Sequence, residues 1–167
     1  MAVALYCEIG FPAIQQSLGT FEGARRRFEH RGVFNGATVV DDYAHHPTEI
    51  RATLAAAAQT DHKKVWCVFQ PHTYTRTMEL MQEFSTCFSG ADQVIITRIY
   101  AARETDTLGI HGKDLVDRII QSGDNAIYLD TFPEIVDYLS AHVSEGDLIL
   151  TVGAGNIVDV AQMLTER

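Results

Sequence analysis

Val65-Trp66-Cys67-Val68-Phe69-Gln70-Pro71-His72-Thr73-Tyr74-Thr75-Arg76 is apolar for five residues and then turns abruptly polar. The apolar half reads as a continuous buried strand. The Gln-Pro-His step ends it, and Met78, Met81, Phe84 and Phe88 follow at spacings of three or four, which predicts a helix. The same order recurs on both sides. Thr38-Val39-Val40 runs into Asp41-Asp42-Tyr43, and Pro47 then opens a helix whose buried stripe is Ile50, Leu54 and Ala58. Val94-Ile95-Ile96 runs into Thr97-Arg98-Ile99-Tyr100, followed by a polar loop and a helix carrying Leu115, Val116, Ile119 and Ile120, closed by Gly123. Ala126 to Leu129 is a further strand. Thr131 and Glu134, with Pro133 between them, form a capping box for the next helix. Leu148 to Val152 ends in Gly153-Ala154-Gly155-Asn156, ahead of a last helix with Ile157, Val158, Val160 and Leu164.

Apolar strands alternating with helices predict an α/β fold: a Rossmann-like, doubly wound, mostly parallel sheet of about five or six strands with helices on both faces. Sites in such folds lie beyond the carboxyl ends of the strands. The polar motifs D-D-Y-A-H-H-P, Q-P-H-T-Y-T-R, T-R-I-Y-A-A-R-E and G-A-G-N all fall there.

Residues 1–23 read differently. Ala2, Val3, Leu5, Tyr6 and Ile9 form a helical stripe stopping at Gly10, and a second short helix with Pro12, Ile14 and Leu18 ends at Gly19. Such a pair is too small to bury its own apolar side, and it begins at Met1 without an N-cap. It is expected to be the tail of a larger upstream domain, with the main domain running over 24–167.

Composition narrows the function classes. The 167 residues suit one domain with a small appendage, and 46% hydrophobic content is enough for a core. Thirteen Lys and Arg against 22 Asp and Glu give a net charge of −9, which repels a phosphate backbone and argues against nucleic acid as a partner. Arg25, Arg26, Arg27 and Arg31 are a local exception, fit either for one small anion or for a solvated turn. The longest purely apolar stretches are about five residues, where a membrane span needs roughly 20. Cys7, Cys67 and Cys87 form no C-x-x-C pair and read as buried, reduced thiols of a cytoplasmic protein.

Asp41, Asp42, His45 and His46 offer a metal site of Zn or Mn type or a set of polar recognition groups. Adjacent His45 and His46 cannot easily point the same way, which favours recognition by Asp42 and His45. Asp41 is then expected on a solvated loop, and His46 as a helix cap. Arg76, near a helix N-terminus suited to anions, would add a fork for a carboxylate or phosphate. His72 reads as structural, Gly153 to Asn156 as a tight turn, and Arg103, Glu104 and Asp106 as a solvated turn. No G-x-x-x-x-G-K-[ST] loop is present.

Taken together, R-R-R-F at Arg25 to Phe28, D-D-Y-A-H-H-P-T-E at Asp41 to Glu49 and Q-P-H-T-Y-T-R-T at Gln70 to Thr77 resemble the Mur ligase family. The resemblance covers essentially the whole sequence but only the C-terminal third of a family ligase, plus the last helices of its central domain. It implies an ATP-dependent ligation in peptidoglycan precursor synthesis: ATP phosphorylates the carboxylate of UDP-N-acetylmuramate, and L-alanine attacks the acyl phosphate. ATP and Mg²⁺ would be held mainly by the central domain, whose phosphate loop lies outside this chain, so the chain alone is expected to be inactive. Carried over by motif, Arg27 and Asp42 fall on the family's nucleotide-facing Arg and Asp, a catalytic pair acting by charge stabilisation and not as acid, base or nucleophile. His45 and Arg76 fall on positions facing the incoming amino acid. The resemblance assigns no metal ligand here. Thr73 departs from the pattern, standing where many relatives carry a second Arg, and Asn156 stands where Asp is common. A family ligase that attaches recycled tripeptide to muramate remains an alternative. Outside the family, so do a metal-dependent hydrolase built on Asp41, Asp42, His45 and His72, and a non-catalytic nucleotide- or partner-binding module.

Overall fold

Six strands form one sheet: β1 (Glu29–Phe34), β2 (Ala37–Asp42), β3 (Val65–Phe69), β4 (Gln93–Ile96), β5 (Ala126–Tyr128) and β6 (Leu148–Val152). The computed structural model describes residues 2–21 and 24–166. Met1 and the expected domain boundary at Gly23 lie outside the described residues. The helices are α1 (Ala2–Tyr6), α2 (Phe11–Gly19), α3 (Pro47–Ala57), α4 (Tyr74–Glu79), α5 (Met81–Phe84), α6 (Gly112–Gln121), α7 (Phe132–His142) and α8 (Val158–Thr165). Strand order is β1-β2-β6-β3-β4-β5, parallel except for β1, which pairs antiparallel with β2. This is the expected α/β sheet.

Period-two alternation divides the core. Val40, Cys67, Phe69, Val94, Ile96, Leu150 and Val152 face α3, α5 and α6, packing on Ile50, Leu54, Phe84, Leu115 and Ile119. Val39, Trp66, Val68, Ile95 and Ile149 face α7 and α8, packing on Ile135, Leu139, Val160 and Leu164. Register then aligns the strand ends that carry the polar motifs. Asp42 and Phe69 both pair with Val152, and Phe69 with Ile96. The loops after β2, β6, β3 and β4 therefore leave the sheet at one level.

Several expectations need correction; in α3 the buried stripe ends on Ala57, and Ala58 is exposed. The strand β1 was not foreseen, because Glu-His-Arg-Gly-Val-Phe buries only Phe34 and bulges between His30 and Gly32. Its signal was Asn35-Gly36, whose φ values of 51° and 80° make the two-residue hairpin turn into β2. The helix predicted across Met78 to Phe88 is broken at Leu80 (φ −104°, ψ 18°). The break turns Met78 outward, while Leu80, Met81, Phe84 and Phe88 meet the core. Ile120 faces solvent instead of completing its stripe, and Cys7 is exposed while Cys67 and Cys87 are buried. In α1 and α2 only Ile14 is buried; Val3, Leu5, Tyr6, Phe11 and Leu18 are exposed. No helix among the described residues is long and apolar enough to cross a membrane.

Candidate functional site

The rim begins at the end of β2. Asp42 Oδ2 accepts the Phe28 N–H and Oδ1 the Ala44 N–H, both at 2.8 Å, so one carboxylate ties the arginine segment to the D-Y-A-H loop. Each oxygen keeps a second lone pair. The exposed Arg27 joins Asp42, Glu49 and Thr53 in lining a cleft of ≈ 320 Å³. Helix α3 starts beneath it in a capping box: His46 Nδ1 accepts the Thr48 N–H at 3.3 Å, and Glu49 Oε2 accepts the N–H groups of His45 (2.9 Å) and His46 (3.2 Å). His46 is thus the helix cap. Burial pushes the Glu49 carboxyl up, but those two N–H bonds and the charges of His45 and Arg27 outweigh it and hold the group below its usual value.

Asp41 is not on a loop. It is a fully buried residue of β2, and the alternation of the strand sends it to the opposite face from Asp42. Its Oδ1 accepts from Thr151 Oγ1 and its Oδ2 from Arg26 Nε, both at 2.8 Å. Arg26 spends the rest of its fork on the glycine turn after β6, donating to the carbonyls of Gly155 (3.1 Å) and Gly153 (2.7 Å), and its guanidinium lies 5.0 Å from the Tyr43 ring centre. Arg31 in turn donates to Glu29 at 3.2 Å. The arginine cluster is therefore divided: Arg26 and Arg31 serve the fold, and Arg27 lines the cleft.

The second half of the rim gathers His45, His72 and Arg76. Parallel bridging holds His72 beside Tyr100, where the rings stack at 5.6 Å and 21°. The His45 ring meets that of His72 edge-on at 5.9 Å, and Arg76 Nη1 lies 3.2 Å from His72 Nδ1. The two residues expected to face an amino acid are thus joined through a third that sequence reasoning set aside as structural. The N-terminus of α4, expected to suit an external anion, is served by the protein's own Glu104. Its carboxylate accepts the Thr75 N–H at 3.1 Å and the Thr75 hydroxyl in a short hydrogen bond, and it is held below the usual carboxylate range chiefly by that hydroxyl. Glu104 is thereby part of a cap, not of a free solvated turn. Behind the rim, buried Gln70 donates to Asn156 Oδ1 at 3.1 Å, clamping the tight Gly153 to Asn156 turn onto the end of β3. Among the described residues no three His, Cys, Asp or Glu side chains are grouped to hold a metal ion.

A fold of this class with an arginine–carboxylate cleft and a histidine–arginine cluster on one rim has a family counterpart. Residues 26–155 match the model described as Mur ligase, glutamate ligase domain, and the chain belongs to this family. Within it, the chain is 53% identical over 151 residues to a UDP-N-acetylmuramate–L-alanine ligase from Lachnospira eligens, covering 90% of this chain and 33% of that one. It is 48% identical over 167 residues to the ligase of the same name from Caldanaerobacter subterraneus subsp. tengcongensis, covering 100% of this chain and 36% of the relative. The crystal structure of the UDP-N-acetylmuramate-alanine ligase of Thermotoga maritima superposes with a TM-score of 0.77 at 29% identity, over 99% of this chain and 35% of that one. The chain thus spans about a third of the length of the relatives it matches.

Proposed function

We propose that this chain is the C-terminal domain of an ATP-dependent ligase that joins L-alanine to UDP-N-acetylmuramate, with residues 24–167 forming the domain and the segment before them belonging to a central, nucleotide-binding domain. The observation that carries this reading is the 53% identity to a ligase of that name over 90% of the chain. The apolar side chains left exposed on α1 and α2 are consistent with a covering domain upstream.

Within that reaction the chain's own residues position and neutralise. Arg27, exposed beside the Asp42 cleft, meets phosphate charge, and Asp42 offers its remaining lone pairs to ribose hydroxyls. These two suit part of a nucleotide. A phosphate-cradling loop and the Mg²⁺ ligands come from the upstream domain. ATP supplies the phosphoryl group that activates the muramate carboxylate. Arg76 binds the carboxylate of alanine, and His45 faces its other side across the His72 ring. Holding the amine near an activated carboxyl lowers the barrier by removing translational freedom, with no proton transfer asked of these four residues.

Phosphate release tests this directly, with ATP, Mg²⁺, UDP-N-acetylmuramate and L-alanine as substrates. The full-length protein is expected to turn over only with all of them present, and the 167-residue chain not at all. Turnover by the isolated chain, or full-length turnover indifferent to alanine, would overturn the proposal.

A further inference from the structure

Among the described residues, the hydrogen-bond partner of the Arg76 guanidinium is His72 Nδ1, at 3.2 Å. A guanidinium has only donors and stays charged in proteins, so Nδ1 must supply a lone pair. His72 is therefore neutral and carries its proton on Nε2. Its ring has little freedom to do otherwise. The Tyr100 N–H donates to the Pro71 carbonyl at 2.8 Å and the Thr73 N–H to the Tyr100 carbonyl at 3.2 Å, and the ring stacks on Tyr100. His45 shows the complementary state: its Nδ1 lies between two acceptors, the Tyr43 carbonyl at 3.1 Å and Glu49 Oε2 at 3.4 Å, and so carries a proton.

We propose that His72 is a positioning residue of the amino-acid half-site: as the neutral Nε2–H tautomer it accepts from Arg76 and aims the guanidinium at the substrate carboxylate. Protonation of the ring would remove that acceptor and set one cation against another. The groups that face His72 are Arg76 from α4, His45 from the loop before α3, and Tyr100 and Glu104 from the loop after β4. Burial first, then the charges of Arg76 and His45, holds the imidazole below its usual value, and Glu104 opposes them. Aiming of Arg76 is therefore complete above that lowered value and is lost as pH falls through it. The proposal rests on the assignment of Arg76 to the alanine carboxylate.

The test uses the full-length protein with His72→Asn and His72→Ala. Asparagine puts an amide oxygen where Nδ1 stands and does not titrate. Expressed on the concentration of free-amine alanine, the wild-type KM is expected to stay flat from about pH 8 to the ordinary imidazole range of about 6.5 and to climb only below it, by at most about tenfold per pH unit. His72→Asn should stay within about threefold of wild type at the upper pH and lose that climb. His72→Ala should raise KM about tenfold throughout, with kcat little changed. A His72→Asn enzyme that keeps the wild-type pH slope, or a His72→Ala enzyme with wild-type KM, would overturn the assignment. So would ¹⁵N shifts of the 167-residue chain placing the His72 proton on Nδ1, a readout that needs no turnover. A wild-type enzyme without alanine-dependent phosphate release would instead overturn the functional reading.

Discussion

Arg26, just before β1, and Asp41, on the neighbouring strand β2, meet at 2.8 Å, the arginine part-exposed and the carboxylate fully buried. The pair joins the end of β2 to the glycine turn after β6, because the same guanidinium also holds the Gly153 and Gly155 carbonyls. Removing Arg26 leaves a buried carboxylate that, among the described residues, keeps the Thr151 hydroxyl as its donor, which costs far more than the pair contributes over an apolar substitute. Arg26→Ala is therefore expected to destabilise the chain by about 3 kcal/mol. Arg26→Lys, which keeps the charge but not the fork, should fall between it and wild type. Urea unfolding of the three proteins checks the order, and equal midpoints would refute it.

The thiols give a second expectation. Burial pushes the Cys87 thiol up to about 12, and the fully buried Cys67 is raised further by burial and by its neighbour Cys87. Thiolate is the reactive form, so neither should be alkylated in the folded chain, while Cys7 is exposed. Iodoacetamide at about pH 8 should modify Cys7 alone until denaturant is added. Native labelling of Cys67 or Cys87 on the same timescale would contradict the packing between the sheet and α5–α6.

Gly155 tests the clamp behind the rim. A Cβ there would collide with the Gln70 side-chain oxygen and approach the Tyr100 ring to 2.7 Å. Gln70 is buried and cannot swing away without dropping its bond to Asn156, and Tyr100 is stacked on His72. Gly155→Ala should therefore cost about 1–3 kcal/mol by overpacking. In the full-length protein it should raise the alanine KM more than the ATP KM, because the displaced ring supports His72. An unchanged alanine KM would show that the turn and the histidine cluster are independent.

How far the sequence could be read follows from where each partner sits along the chain. The strands β3, β4 and β6 were legible because burial on both faces leaves uninterrupted apolar runs. The edge strand β1 was not, since Glu29-His30-Arg31-Gly32 opens it without an apolar residue, whereas the other edge, β5, keeps the run Ala126-Ile127-Tyr128. Asp42, His45 and Arg76 stood out because each belongs to a polar motif that begins at a strand's carboxyl end. Arg26 could not be told from Arg25 and Arg27, because what distinguishes it is two carbonyls 127 and 129 residues away. The contact that joins His72 to Arg76, four residues on, was hidden for a related reason: it appears only once the loop and α4 are folded.

The division of the rim into two halves makes the sharpest expectation. Arg27 lines the cleft beside Asp42, whereas Arg76 sits on the His72–His45 cluster at the end of β3. If the first meets the nucleotide and the second the amino acid, their alanine variants should separate kinetically. Loss of a charge-assisted contact is worth about 1.5–3 kcal/mol, or roughly 10- to 150-fold. Arg76→Ala should raise the alanine KM by about that factor and leave the ATP KM within about twofold, because a ground-state carboxylate contact is removed. Arg27→Ala should leave the alanine KM in place and lower kcat/KM for ATP, with kcat falling if its charge is needed more as phosphate charge develops. Variants that raised both constants equally would mean that the two halves act as one site, since no residue of either cleft would then discriminate nucleotide from amine.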